Sequence, residues 1–229
     1  MLIKMKPSII KLIIFDIDGT LVVAPDFYKK YSILIEKIIS QKLKISLKKA
    51  KEVANYFRKK FGRGEMALKS SKIGKITGIN FKGNIGTNSL YKGILNINPE
   101  NYLKPDKKIN LFLKNLYQQQ KILIALTNAP IKQAYKIFKA KGINKNYFKE
   151  IVGWQERKNM PKNSLGFIYK RIIKKYKLKP EEILTVGDVY ETDIKPAIKL
   201  GIKGVLITNK NYKTKIIKVT SVYEILHLM

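Results

Sequence analysis

Cysteine is absent from the sequence and histidine occurs once, as His227. Without cysteine there are no disulfides and no thiolate metal sites, and a cytosolic location is the default expectation. One histidine argues against a Ser-His-Asp relay and against a His-ligated zinc. No apolar run approaches the roughly 20 residues that span a bilayer. The opening MLIKMKPSIIKLIIFDIDGT is basic, then apolar, but Lys11 interrupts it, Asp16 follows and no small-residue cleavage site appears. It reads poorly as a signal peptide. Acidic residues are scarce: 16 Asp plus Glu stand against 47 Lys plus Arg in 229 residues, for a net charge of +31.

That excess is almost all lysine, since only Arg58, Arg63, Arg157 and Arg171 are arginine. Isoleucine occurs 35 times and alanine nine. Lys, Ile and Asn share A/T-rich codons, so genome bias accounts for this palette without selection for binding. Surfaces dedicated to nucleic acid favour arginine and cluster their charge, whereas lysine here is spread along the whole chain. No membrane partner is expected, nucleic acid would be attracted only non-specifically through charge, and the positive field would steer any small anionic substrate. With 45% hydrophobic and 10% aromatic residues, the chain is still globular in composition.

Residues 9–15 (IIKLIIF) read as a short buried strand that stops at Asp16. Helical spacing then runs from Asp26 to about Gln41, and again from after Ser46 to Phe61. Residues 62–101 are Gly- and Asn-rich and suggest short helices broken by loops. Beyond Pro105 strands and helices alternate. Helices are expected near 106–119, 130–141, 165–177 and 192–200, with a last one from Ser221. Strands are expected at 122–127, 149–152, 182–187 and 205–208. The pattern predicts an α/β fold with a mostly parallel sheet covered on both faces. Residues 1–23 and 103–229 would form the core, and 24–102 a mainly helical insert.

Of the six Asp, four lie just past strand ends, in FDIDGTL (15–21) and VGDVYETD (186–193). Ligands of open parallel sheets bind at those ends. Residues two apart in an extended segment project the same way, so Asp16 and Asp18 would face one pocket. Gly19 lets the chain turn close above them. A third strand ends in Thr127 at the same edge. Converging carboxylates are costly unless a cation neutralises them, and oxygen ligands suit Mg²⁺.

FDIDGTL, a strand ending LTN, a later lysine and VGDVYETD resemble, in order and spacing, the four motifs of the haloacid dehalogenase-like superfamily. The resemblance implies a Rossmann-like core with a mobile helical cap that excludes water. It implies Asp16 as nucleophile, attacking phosphorus to give an aspartyl-phosphate, and Asp18 as the acid and later the base. The backbone carbonyl of Asp18 would join Asp16 and Asp188 at the metal, with Asp193 as a ligand or behind one. Thr127 would hold a phosphoryl oxygen through its hydroxyl and backbone N–H, with Asn128 nearby. The family commonly has Lys-Pro before a helix, whereas this chain has RKNMPKNSLGF (157–167). Lys162 is the preferred charge-balancing lysine and Lys158 the fallback. The implied reaction is Mg²⁺-dependent hydrolysis of a small phosphate monoester. Asp18 favours this over metal-independent dehalogenation, because true dehalogenases typically carry Tyr there. Binding of RNA or another polyanion on the same scaffold is the other alternative.

LYKGILNINPENYLKPDKKINLFLKNL (90–116), ILIALTNAP and FRKKFGRGEMALK (57–69) resemble the pyrimidine 5′-nucleotidase-like branch. That branch implies nucleoside monophosphates, with Phe27, Tyr31 and Arg63 near base or sugar. Packing inside the cap is the competing role for the two aromatics. Arg63 and Lys69 qualify because a Gly-flanked basic loop could face a pocket. GRGEMA (62–67) follows a helix and GEMALKS (64–70) lacks its second Gly, so neither is a nucleotide loop. Glu181, Glu182 and Glu191 read as solvated, and Trp154 and His227 as structural.

Overall fold

The structure is a computed structural model describing residues 10–61, 63–153, 164–210 and 216–228. It contains six strands: β1 (Leu12–Asp16), β2 (Ile122–Leu126), β3 (Phe148–Val152), β4 (Ile183–Gly187), β5 (Lys203–Ile207) and β6 (Ile217–Val219). They form one sheet in the order β3-β2-β1-β4-β5-β6, and every neighbouring pair is parallel. The two central strands are rich in aliphatic residues, and all five residues of β1 and of β4 are buried. Covering both faces of the sheet requires that composition. Full burial of each such aliphatic side chain contributes about 1.5–3 kcal/mol.

The chain divides into two compact units, 1–24 with 103–229, and Pro25–Tyr102. In the first, helices connect the strands: α6 (Lys107–Gln118), α7 (Ile131–Lys141), α8 (Ser164–Tyr176) and α9 (Lys195–Ile198). Alternation along β1 sends Leu12 and Ile14 to one face, where they pack with Ile168, Tyr169 and Ile172 of α8. On the other face Phe15 meets Phe112 of α6 edge-on at 5.9 Å, and Phe112 meets Tyr223 at 5.6 Å. By the same parity Asp16 belongs to the α8 face.

The unit Pro25–Tyr102 is helical, with α1 (Pro25–Leu43), α2 (Leu47–Phe61), α3 (Met66–Lys69), α4 (Ile73–Thr77) and α5 (Asn88–Leu95). Gly93 of α5 lets that helix press against α1, since a Cβ there would lie 2.6 Å from Leu34. Phe27 is fully buried, its ring 5.1–5.8 Å from those of Tyr28, Tyr31 and Tyr102. Among the described residues no helix is long and apolar enough to cross a membrane.

Three elements differ from the sequence expectation. β6 has only three residues, too short a run to stand out. In place of a helix over 192–200, the chain makes a wide π-turn at Tyr190–Ile194 and then the short α9. Pro196 explains the break: it has no N–H to donate one turn back, so it is tolerated only in a helix's first turn. The final segment, Val222–His227, is a 3₁₀ helix. It is capped by Ser221, whose N–H donates to Glu224 at 2.9 Å.

Candidate active site

The carboxyl ends of β1, β2 and β4 bring the rare aspartates together. β1 ends on Asp16, which is 6% exposed, and the chain then turns tightly. The Val22 N–H donates to the Ile17 carbonyl at 2.9 Å and the Gly19 N–H to the Val22 carbonyl at 2.9 Å. Asp18 and Val22 form a β-bridge, so Asp18 is fixed by backbone pairing beyond the strand proper. From the end of β2, the Thr127 hydroxyl donates to Asp18 Oδ2 at 2.6 Å and accepts from the Ala129 N–H at 3.0 Å. The Thr127 N–H is committed to the Val152 carbonyl at 2.9 Å, extending the β2–β3 pairing. That corrects one expectation: the backbone N–H of Thr127 is not available to a phosphoryl oxygen.

After β4 the loop carrying Asp188 is folded by Asp193. Asp193 Oδ2 accepts the Val189 N–H at 2.9 Å, and Oδ1 accepts the Thr192 hydroxyl at 2.8 Å. Its side chain lies flat over the end of β4, where a Cβ on Gly187 would fall 2.4 Å from Asp193 Cβ. Gly19 serves Asp188 in the same way. Its φ of +96° and its missing Cβ, which would lie 2.4 Å from Asp188 Oδ2, let the Asp16–Asp18 loop close onto that carboxylate.

Asp16, Asp188 and Asp193 can thus present one oxygen each within 4.8 Å of one another. Three like charges this close, two of them buried, disfavour one another unless a cation joins them. The donors are all carboxylate oxygens, the set a hard divalent ion such as Mg²⁺ takes. The donor chemistry therefore fits a Mg²⁺ ion. The Asp18 carboxylate lies outside this trio and faces Thr127. Asn128 follows Thr127 at the same edge, and both border a cavity of about 10 Å³ shared with Asp16, Tyr169, Thr185 and Asp193.

Lys162, Lys158 and Trp154 lie outside the described residues. Phe27 is a packing residue: with no exposed surface, its ring is held among three tyrosines and is not open to a substrate. Tyr31 borders the same cluster and is half-exposed, as are Arg63 and Asn128. Glu191 pairs with Lys195 at 2.7 Å on the surface, in keeping with a solvated role. Sequence reasoning passed over Thr185 and Tyr169, whose hydroxyls converge behind Asp193. A threonine inside the otherwise aliphatic β4 is the signal that could have found the first. Tyr169 carries no such mark.

The model of the haloacid dehalogenase-like hydrolases matches residues 10–201, most of the chain. The protein belongs to that family. No curated protein matches it in sequence. Among solved structures, it is similar to a phosphatase of the family from Thermococcus onnurineus, with 21% identity, TM-score 0.62, and 96% of this chain and 97% of that one covered. A predicted phosphoglycolate phosphatase from Haemophilus somnus 129PT matches at 20% identity and TM-score 0.57, covering 97% and 99%. A 2-haloacid dehalogenase from Pseudomonas syringae pv. Tomato DC3000 matches at 14% and 0.54, covering 96% and 97%. Likeness at these identities establishes the shared α/β fold. The family makes the protein a hydrolase, and the choice between phosphorus and carbon–halogen chemistry rests on its own residues.

Proposed function

We propose that this hydrolase is a Mg²⁺-dependent phosphatase acting on small phosphate monoesters. One observation carries the reading: a second carboxyl group, Asp18, stands two residues past Asp16 and is oriented by the Thr127 hydroxyl at 2.6 Å. Displacing an alkoxide needs a proton donor for the leaving oxygen, whereas displacing halide does not. In the first step an Asp16 oxygen bonds to phosphorus, the ester P–O bond breaks, and Asp18 gives its proton to the departing oxygen. In the second, Asp18 takes a proton from water as the water oxygen bonds to phosphorus, and the Asp16–phosphorus bond breaks to release phosphate.

Asp16, Asp188 and Asp193, with the Asp18 carbonyl, are the groups assigned to hold Mg²⁺, which supplies charge neutralisation for the phosphoryl group. Asp193, already bonded to Val189 and Thr192, serves chiefly to hold the loop that presents Asp188. Lys162 is assigned the remaining positive charge. The insert is assigned the role of substrate-selecting cap, and nucleoside monophosphates are the class to test first, on motif resemblance. Tyr31 and Arg63 are its candidates for substrate contact.

The test is phosphate release from UMP, CMP, phosphoglycolate, sugar phosphates and p-nitrophenyl phosphate, with Mg²⁺ and with EDTA, beside Asp16→Asn. Turnover that needs both the metal and Asp16 is the expected result. Halide release from a 2-haloacid without added metal, and no phosphate from any ester, would replace this reading by the dehalogenase one.

A further inference from the structure

Tyr169 lies on α8, is 1% exposed, and sits among Ile14, Ile168 and Ile172 of the core. A tyrosine so placed must satisfy its hydroxyl internally. It donates to the backbone carbonyl of Asp193 at 2.7 Å and lies 3.2 Å from the Thr185 hydroxyl, which is itself 3.4 Å from that carbonyl. The two hydroxyls, one from α8 and one from β4, therefore grip a single peptide unit of the π-turn Tyr190–Ile194. Such one-turn π segments recur at functional sites because the extra residue re-aims the backbone.

The grip is on the inner side of the residue whose carboxylate folds the loop. Asp193 receives the Val189 N–H and the Thr192 hydroxyl on its side chain while Tyr169 and Thr185 hold its main chain. Gly187 leaves the clearance for this, so Asp193 is confined between β4 and α8. Asp188 is one residue before Val189, whose N–H is one of those bonds. The rigid core thus reaches the acidic trio by an unbroken path: Tyr169 hydroxyl, Asp193 carbonyl, Asp193 carboxylate, Val189 N–H, Asp188.

We infer that Tyr169 is a positioning residue for the metal site: its buried hydroxyl, assisted by Thr185, sets the Asp193–Asp188 carboxylates at the spacing that holds the divalent cation. The inference rests on the metal reading given above. It assigns Tyr169 no contact with substrate and no proton transfer.

The test is Mg²⁺ binding to the full-length protein by titration calorimetry, for wild type, Tyr169→Phe and Thr185→Val. Ile172→Val, which removes one methyl from the same helix without touching Asp193, controls for loss of core packing. Removing an outer partner of a metal ligand weakens metal binding about 10–100-fold. Tyr169→Phe is expected near the lower end, with Thr185→Val weaker in effect and Ile172→Val binding as wild type. In turnover, the Mg²⁺ concentration needed for half-maximal rate should rise in step, while the ester KM and the kcat at saturating Mg²⁺ stay near wild type. Wild type that fails to bind Mg²⁺ overturns the metal reading and this inference with it. Wild type that binds while Tyr169→Phe binds equally well, or no worse than Ile172→Val, overturns the inference alone. Should Tyr169→Phe not fold, Thr185→Val decides by the same criterion.

Discussion

Gly19→Ala changes no charged or reacting group, yet it should disable the enzyme. Two costs can be separated. The residue has φ +96°, and an L side chain in left-handed backbone costs roughly 1–2 kcal/mol. The new Cβ would also fall 2.4 Å from Asp188 Oδ2 and 2.7 Å from its Cγ. Ordinary contact begins at 3.4 Å, so the carboxylate must withdraw by 3.4 − 2.4, about 1 Å, or the Asp16–Asp18 loop must lift by as much. A displacement of about 1 Å in a reacting constellation can cost on the order of 10²-fold in rate. Gly142→Ala isolates the first cost, because Gly142 also has positive φ (+68°) but its nearest neighbour, Pro105, is at 3.5 Å. The expected pattern is a comparable loss of about 1–2 kcal/mol in urea melts for both variants. Only Gly19→Ala should lose about 10²-fold in kcat/KM for phosphate release. Equal activity in the two variants would refute the claim that Gly19 exists to let the loop close on Asp188.

Asp18→Asn should lower kcat/KM, which reports formation of the aspartyl-phosphate and not its hydrolysis, by about 10²–10⁴-fold for sugar phosphates but much less for p-nitrophenyl phosphate, because nitrophenolate leaves without a proton. Equal losses on both substrates would remove Asp18 from the acid role. Phe27→Ala should cost about 3–5 kcal/mol in thermal or urea melts, as expected for emptying an aromatic site in a core. A near-neutral melt would mean that Phe27 is not a packing residue. Glu150 on β3 accepts the Tyr176 hydroxyl at 2.6 Å and the Lys175 ammonium at 2.7 Å, with Arg171 at 3.3 Å. Burial pushes its carboxyl upward, but Lys175, Tyr176 and Arg171 outweigh that and hold it below its ordinary value of 4.5. The folded state therefore favours the ionised form, so its stabilisation is complete above about pH 4.5 and is lost as pH falls through the lowered folded value. Glu150→Gln should cost about 1–2 kcal/mol at pH 7, discounted for the exposed Lys175, and the gap to wild type should close in melts below pH 4. A gap independent of pH would show that packing, not charge, carries the effect.

What the sequence made legible follows from where its scarce residue types fall. β1, β2, β4 and β5 are short β-branched runs in a lysine-rich chain, and their periodicity survives any composition bias. The ends of β1 and β4 are marked by aspartate, of which there are six in all. A rare residue at four strand-end positions carries information that any one of so many lysines cannot. The basic motif, where Lys162 and Lys158 competed within one stretch, shows that limit. Phe27 and Tyr31 showed the opposite ambiguity: helical spacing serves packing and ligand contact alike, and for Phe27 packing won.

The features missed are those made by contacts between distant elements. Nothing local marks Tyr169, since a tyrosine at a helix position that faces a sheet reads as ordinary core. Its partner is a main-chain carbonyl 24 residues away, and a carbonyl has no signature in sequence. Thr127 is similar, its hydroxyl legible as a strand-end donor but its N–H claimed by Val152 on a neighbouring strand. The π-turn could have been foreseen in part, because Pro196 forbids a helix running straight from 192. Once that break is granted, the peptide at Asp193 no longer sits in a regular helix, and a buried carbonyl outside regular structure calls for a side-chain donor. Thr185, polar within a strand of otherwise aliphatic neighbours, was the one donor the sequence placed near enough to be suspected.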